Sequence, residues 1–215
     1  GAVLWMNKLA PGPYVVLAGF VVLLFMLFGW FGRVIDESEH GRYNKQVDVS
    51  FRWGMSWFIF SEVMFFAAFF GALFYVRVLS VPDLASAEQQ LLWPAFKAPC
   101  PTAGPKFAEQ FTPMGAAGIP LVNTLLLLSS GATLTWAHWG LLAGKRGQLK
   151  LGLMLTIALG LIFLSLQVYE YVHAYQELNL KLTTGVYGST FFMLTGFHGL
   201  HVTIGATMLL VSLCR

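Results

Sequence analysis

Apolar residues run along this chain in long unbroken blocks, with polar residues gathered between them rather than interleaved. Five blocks approach or exceed the ~20 mainly apolar residues of a spanning helix: residues 14–32, 53–76, 119–142, 151–173 and 186–213. Barrel strands would alternate in polarity and be about half as long, so the pattern predicts helices. Pro11 and Pro13 precede the first block and Pro120 opens the third, where proline's missing N–H costs little. The only long polar stretch, 79–118, carries Pro82, Pro94, Pro99, Pro101, Pro105 and Pro113. It predicts a surface loop with no extended helix or strand.

Composition places these helices in a membrane. Of 215 residues 57% are hydrophobic and 11% charged, against about 25% charged in an ordinary soluble domain. So few charges could not cover a soluble globule, and a net charge of +3 is too small for a nucleic-acid footprint. The chain is therefore an all-α polytopic bundle, a single integral-membrane domain over 1–215. The basic residues alternate between its faces. Arg33, Arg42, Lys45, Arg52, Lys145, Arg146, Lys150 and Arg215 fall on one side, eight of thirteen and mostly in short loops. Lys8, Arg77, Lys97, Lys106 and Lys181 are spread over the other. The excess marks the first side as inner, so loop 79–118 is outer. Cys100 and Cys214 then lie at opposite faces and cannot bridge. The sequence opens at Gly1 with no initiator Met, charged n-region or cleavage pattern, and reads as processed or incompletely represented.

Ionisable residues inside spans are costly and are functional candidates by default. Glu62 sits nine residues into the second block, ~14 Å from its inner end. It is either a neutral carboxyl hydrogen-bonded to a neighbouring helix or a group with a role in proton movement or lipid contact. His198 and His201, three apart, share a helix face. His201 is ~18–20 Å deep, a depth that allows contact with Glu62 if their helices pack, and Gly196, Gly199 and Gly205 predict such an approach. Glu170 and His173 form E-x-x-H, the spacing of carboxylate-bridged di-iron sites. A second such set at the same depth is missing, because Glu170 lies ~15 Å further out than Glu62 and His138 is near the inner end. The four residues Glu170, His173, His198 and His201 thus read as polar packing groups, with no metal site. The spans' serines and threonines read as packing groups too, and Trp5, Trp30, Trp53, Trp136 and Trp139 as an interfacial belt.

Three segments carry a resemblance: RWGMSWFIFSEVMFFAAFF, IPLVNTLLLLSSGATLTWAH and GVYGSTFFMLTGFHGLHVTIG. Together they closely resemble subunit III of cytochrome c oxidase, a haem–copper oxidase, in order from about Phe28 to Arg215. The wording of the second block and the proline-rich loop look bacterial rather than mitochondrial, which implies a bacterial plasma membrane. The resemblance implies an accessory subunit that binds no cofactor of its own, with haem and copper in partner subunits I and II. It further implies packing against subunit I and seven helices in groups of two and five, separated by a V-shaped cleft that holds phospholipid. Glu62 matches the family's carbodiimide-modified intramembrane carboxylate. Trp30 or Phe31, Phe58 and Arg215 match its lipid-cleft contacts, and a guanidinium at the inner interface independently suits a phosphate headgroup. The family is also taken to sustain proton uptake into subunit I and to protect it during turnover. Two departures stand out. Five spans are visible of seven, and Trp139 follows His138 where the family usually has a second histidine.

Two other functions compete with this one. A quinol oxidase subunit III usually has five helices but lacks the long outer loop. A small proton-coupled transporter or channel using Glu62 predicts helices broken in mid-span, and the only proline within a span is Pro120, near a helix start.

Overall fold

The computed structural model describes residues 1–86, 88–94, 96–97, 101–105 and 111–214. Cys100, Lys106 and Arg215, singled out above, lie outside the described residues. Among those described there is no strand. The helices are α1 (Ala2–Met6), α2 (Gly12–Glu39), α3 (Lys45–Tyr75), α4 (Val81–Leu84), α5 (Ile119–Leu142), α6 (Arg146–Gln176) and α7 (Gly185–Cys214). A π-helical turn, Val76–Ser80, joins α3 to α4, and Gln89–Leu91 form one 3-10 turn. All five expected spans are helices long and apolar enough to cross a membrane.

The helix limits correct the expected ones in one direction. α5 has the expected bounds, but α2 continues past Gly32 to Glu39, and α3 begins at Lys45 rather than near Trp53. α6 and α7 are also longer at their ends, and helical turns continue from α3 to Leu84, inside the stretch expected to be loop. Hydropathy marks the hydrocarbon core, whereas a helix stops where its backbone is capped. The ends of α2 and α5 show this. Gly41 (φ 64°) and Gly144 (φ 68°) take the left-handed conformation just past them. Arg42 N–H then donates to Glu37 O at 3.0 Å and Lys145 N–H to Gly140 O at 2.8 Å, the six-to-one bond of a Schellman cap. α3 starts where the Asn44 side-chain oxygen accepts from Val47 N–H at 3.0 Å, and an Asp48–Arg52 pair at 3.0 Å supports its first turns in water.

Residues 1–64 and 65–215 form two compact units, and α3 is continuous across their boundary. In the first, α1 folds back on the start of α2, where Gly12 leaves no room for a Cβ against the Trp5 backbone. Most of α2 and of α3 to Met64 is exposed. The second is built around α6, against which α5 packs extensively and α7 less so. The tightest approach of α5 to α6 is at the inner end. A Cβ on Gly152 would lie 2.7 Å from that of Ala137, and one on Gly140 would lie 3.0 Å from the Gln148 side chain. One turn along, Thr133 and Thr156 hydroxyls share a hydrogen bond of 2.8 Å. The glycines expected to bring α7 close do not: a Cβ on Gly199 or Gly205 would meet nothing within 4 Å, and one on Gly196 only the Tyr171 hydroxyl at 3.5 Å. Close packing instead falls on small residues of α5 and α6, joined by a short turn that fixes them as antiparallel neighbours.

At the opposite end the 177–184 turn is sealed by Leu180, fully buried against Ala174 and Phe192. Thr112 N–H donates to Leu178 O at 3.1 Å, so residues just before α5 close over this end of the bundle.

Candidate functional site

The first unit carries the expected intramembrane carboxylate. Glu62 is half-buried on α3, with Phe58 one turn before it. The expected lipid contacts Trp30, Phe31 and Phe58 are 62%, 49% and 58% exposed. Trp57 and Phe60 stack edge to face at 5.7 Å beside them. A shallow groove of about 460 Å³ runs along α2 past Trp30, Arg33 and Glu37. At its inner end the Tyr43 hydroxyl donates to the Glu37 carboxylate at 2.8 Å. Desolvation, then the hydrogen bond and charge of Glu37, raise the Tyr43 phenol above its usual range. The exposed surfaces of α2 and α3 are both aromatic, and Arg33 lies on the α2 groove.

In the second unit the four polar candidates separate. His173 turns outward and its Nδ1 pairs with Glu177 Oε2 at 3.1 Å. His201 lies among phenyl rings, 5.6 Å from Phe66 and 6.3 Å from Phe65 between centroids. Glu170, 5% exposed, and His198 instead line one cavity of about 320 Å³ between α5, α6 and α7. His198 packs edge-on against Phe163 at 5.6 Å, and Tyr171 and Thr195 hydroxyls join α6 to α7 at 2.7 Å beside it. The two amide residues of the lining, Asn123 and Gln167, were not anticipated from sequence. Asn123 is 4% exposed, and among the described residues neither of its amide atoms has a hydrogen-bond partner; the Gln167 amide nitrogen also lacks one there. The signal was there: Gln167 and Glu170 are three apart and share a helix face, and Asn123 interrupts an apolar run. An uncharged amide in a span attracts less notice than a carboxylate, yet leaving it unpaired is also costly.

Among the described residues, no group of three or more His, Cys, Asp or Glu side chains is placed to hold a metal ion. His138 and Trp139 are exposed near the inner end of α5.

Five apolar spanning helices with an aromatic exposed face define a polytopic integral-membrane protein. Comparison with known proteins narrows this class. The sequence profile of the family Cytochrome c oxidase subunit III matches residues 1–215. Proteins named cytochrome c oxidase subunit 3 from Tachyglossus aculeatus aculeatus and Chondrus crispus are each 38% identical over 216 residues. They match all of this chain, which covers 74% and 71% of their lengths. The one from Mus musculus is 40% identical over 198 residues, 92% of this chain and 67% of its own length. The chain belongs to the cytochrome c oxidase subunit III family, as the three quoted segments implied. Its function is that of a membrane subunit of the oxidase complex.

Proposed function

We propose that this chain is the accessory, lipid-holding core subunit of a proton-pumping cytochrome c oxidase. In this reading it packs against subunit I, and haem and copper belong to subunits I and II. The chain itself then performs no redox step; it sustains proton uptake by subunit I and protects it during turnover. The observation that carries this reading is the exposed aromatic face of α2 and α3. A large apolar face with interfacial cations is poorly matched to water and well matched to acyl chains and headgroups. Glu62, half-buried on that same helix, is then a carboxyl beside structural lipid, and Arg215 a headgroup ligand. The wording of residues 57–77 and the proline-rich loop support a bacterial plasma membrane as its location.

The test uses the intact oxidase carrying Trp30→Ala and Phe58→Ala together. The expected result is normal haem and copper content, fewer phospholipids retained per complex by mass spectrometry, and activity that decays faster during turnover. Unchanged lipid retention and unchanged lifetime would refute the lipid-holding role. A haem spectrum from the isolated chain would refute the accessory one.

A further inference from the structure

The cavity between α5, α6 and α7 has a property that neither lipid holding nor family membership explains. Its polar lining forms a ladder through the membrane. Counted from the helix ends at the face bearing loop 111–118, Asn123 is ~6 Å deep, Glu170 ~9 Å, Gln167 ~14 Å, Thr195 ~15 Å and His198 ~20 Å. Every rung lines the same cavity, and Met114, Gly115 and Ala116 line it at the loop end. Phe163, only 3% exposed, lies against His198 at the deep end.

Polar side chains at membrane depth pair with one another or line water. Here Asn123 and Gln167 line the cavity, and the buried Asn123 amide and Gln167 nitrogen have no partner among the described residues. Acyl chains offer nothing to bond to them, whereas water offers both donors and acceptors. A volume of about 320 Å³ has room for roughly ten waters at ~30 Å³ each. Among the described residues no lysine or arginine lines the cavity, so they offer an anionic headgroup no counter-charge there. From these facts we propose that the cavity is a hydrated half-channel, through which water from the loop-bearing face reaches Glu170 and ends at His198. The titratable groups facing it are Glu170 from α6, with His173 one turn beyond, and Tyr187 and His198 from α7, with His201 behind; α5 contributes only the uncharged Asn123 and Thr124. Protons on Glu170 and His198 then exchange with the outer aqueous phase, on the opposite side from the inner basic loops.

The test is cysteine accessibility in the intact oxidase, with Cys100 and Cys214 replaced by Ser. Thr124→Cys and Thr195→Cys probe the upper and lower cavity; Leu125→Cys, on an exposed apolar position of the same helix as Thr124, is the control. A small membrane-impermeant cationic methanethiosulfonate is added from the loop-bearing side. The expected result is labelling of both cavity positions at least tenfold faster than the control, and no acceleration at Thr195→Cys when reagent is added only from the other side. Labelling of Thr195→Cys no faster than Leu125→Cys would overturn the proposal, showing the cavity filled by lipid or another helix. If Thr195→Cys does not assemble, Gln167→Cys reads nearly the same depth. The outcome is independent of lipid retention at Trp30 and Phe58.

Discussion

Gly152 is the tightest glycine of the α5–α6 interface, and one added carbon should matter there. A Cβ there would stand 2.7 Å from Ala137 Cβ, 3.0 Å from its Cα and 3.1 Å from its nitrogen. Relaxed carbon contacts lie at about 3.5–4.0 Å, so the α5–α6 pair must open by close to ~1 Å. The partner atoms are backbone or the first side-chain carbon, so no rotamer change can relieve the contact. Overpacking of this kind costs about 1–3 kcal/mol, against a helix-propensity gain of about 1 kcal/mol for Gly→Ala. Gly160 supplies the control. It is buried two turns along the same helix, yet a Cβ there would meet nothing within 4 Å. The propensity terms cancel between the two variants, so Gly160→Ala should exceed Gly152→Ala in stability by about 1–3 kcal/mol. Reversible SDS titration in mixed micelles, followed by far-UV circular dichroism, reads this difference. Adding Ala137→Gly should recover part of the loss, a coupling of about 0.5 kcal/mol or more for residues in contact. Equal stability of the two alanine variants would refute the close-packing account of the α5–α6 interface.

Three further outcomes follow from the geometry. A double-mutant cycle of Thr133→Val and Thr156→Val should give a coupling of about 0.6 kcal/mol, the usual size of an interhelical hydrogen bond in a membrane, in the same SDS titration. Tyr43→Phe should remove a phenol that titrates above the usual range by ultraviolet absorbance. Because the folded pKa is raised, this tyrosine's contribution to stability is complete below the ordinary phenol range and is lost as pH rises through its folded value. Gly185→Ala should destabilise the turn into α7, by about 1–2 kcal/mol from its left-handed backbone alone and further because a Cβ would collide with the Ala103 carbonyl; thermal release of the subunit from the complex measures it.

The spans were legible because hydropathy reports the solvent a residue requires, and five apolar blocks require lipid. Their helical limits were less so. Residues 33–39 and 45–52 are mainly polar yet helical, held by Schellman glycine, asparagine cap and ion pair rather than by an apolar face. Among the polar candidates, Glu170 and His198 were identified singly, but nothing in their spacing said that they share a cavity. That follows from α5 and α7 both packing on α6, a pairing that apolar periodicity cannot encode when all sides of a helix are apolar. His173 was equally conspicuous in sequence and turned out to face away, paired with Glu177.

That failure of periodicity has a physical origin that also explains where this protein keeps its specificity. Between helices in lipid there is no hydrophobic drive, since a leucine is as well solvated by an acyl chain as by another leucine. Association must come from close van der Waals approach and from hydrogen bonds. Both occur on α5 and α6, at Ala137 with Gly152 and at Thr133 with Thr156, within one turn of each other. α7 meets α6 through the Tyr171–Thr195 bond and through ring packing of Phe192 and His198, with no glycine-to-alanine approach, and packs less extensively. The difference leaves space between α5 and α7, and that space is where Asn123, Gln167, Glu170 and His198 stand. Substituting residues that tighten α5 on α6 should therefore alter stability, whereas substitutions along the cavity should alter accessibility to water with smaller effects on assembly. Thr195 is the exception, because it both lines the cavity and holds α7 to α6: Thr195→Val should lower stability by about 0.6 kcal/mol and slow labelling of Thr124→Cys little, since Thr124 lies above it. Loss of labelling throughout the cavity in Thr195→Val would mean that the bond to Tyr171 shapes the whole opening rather than its lower half.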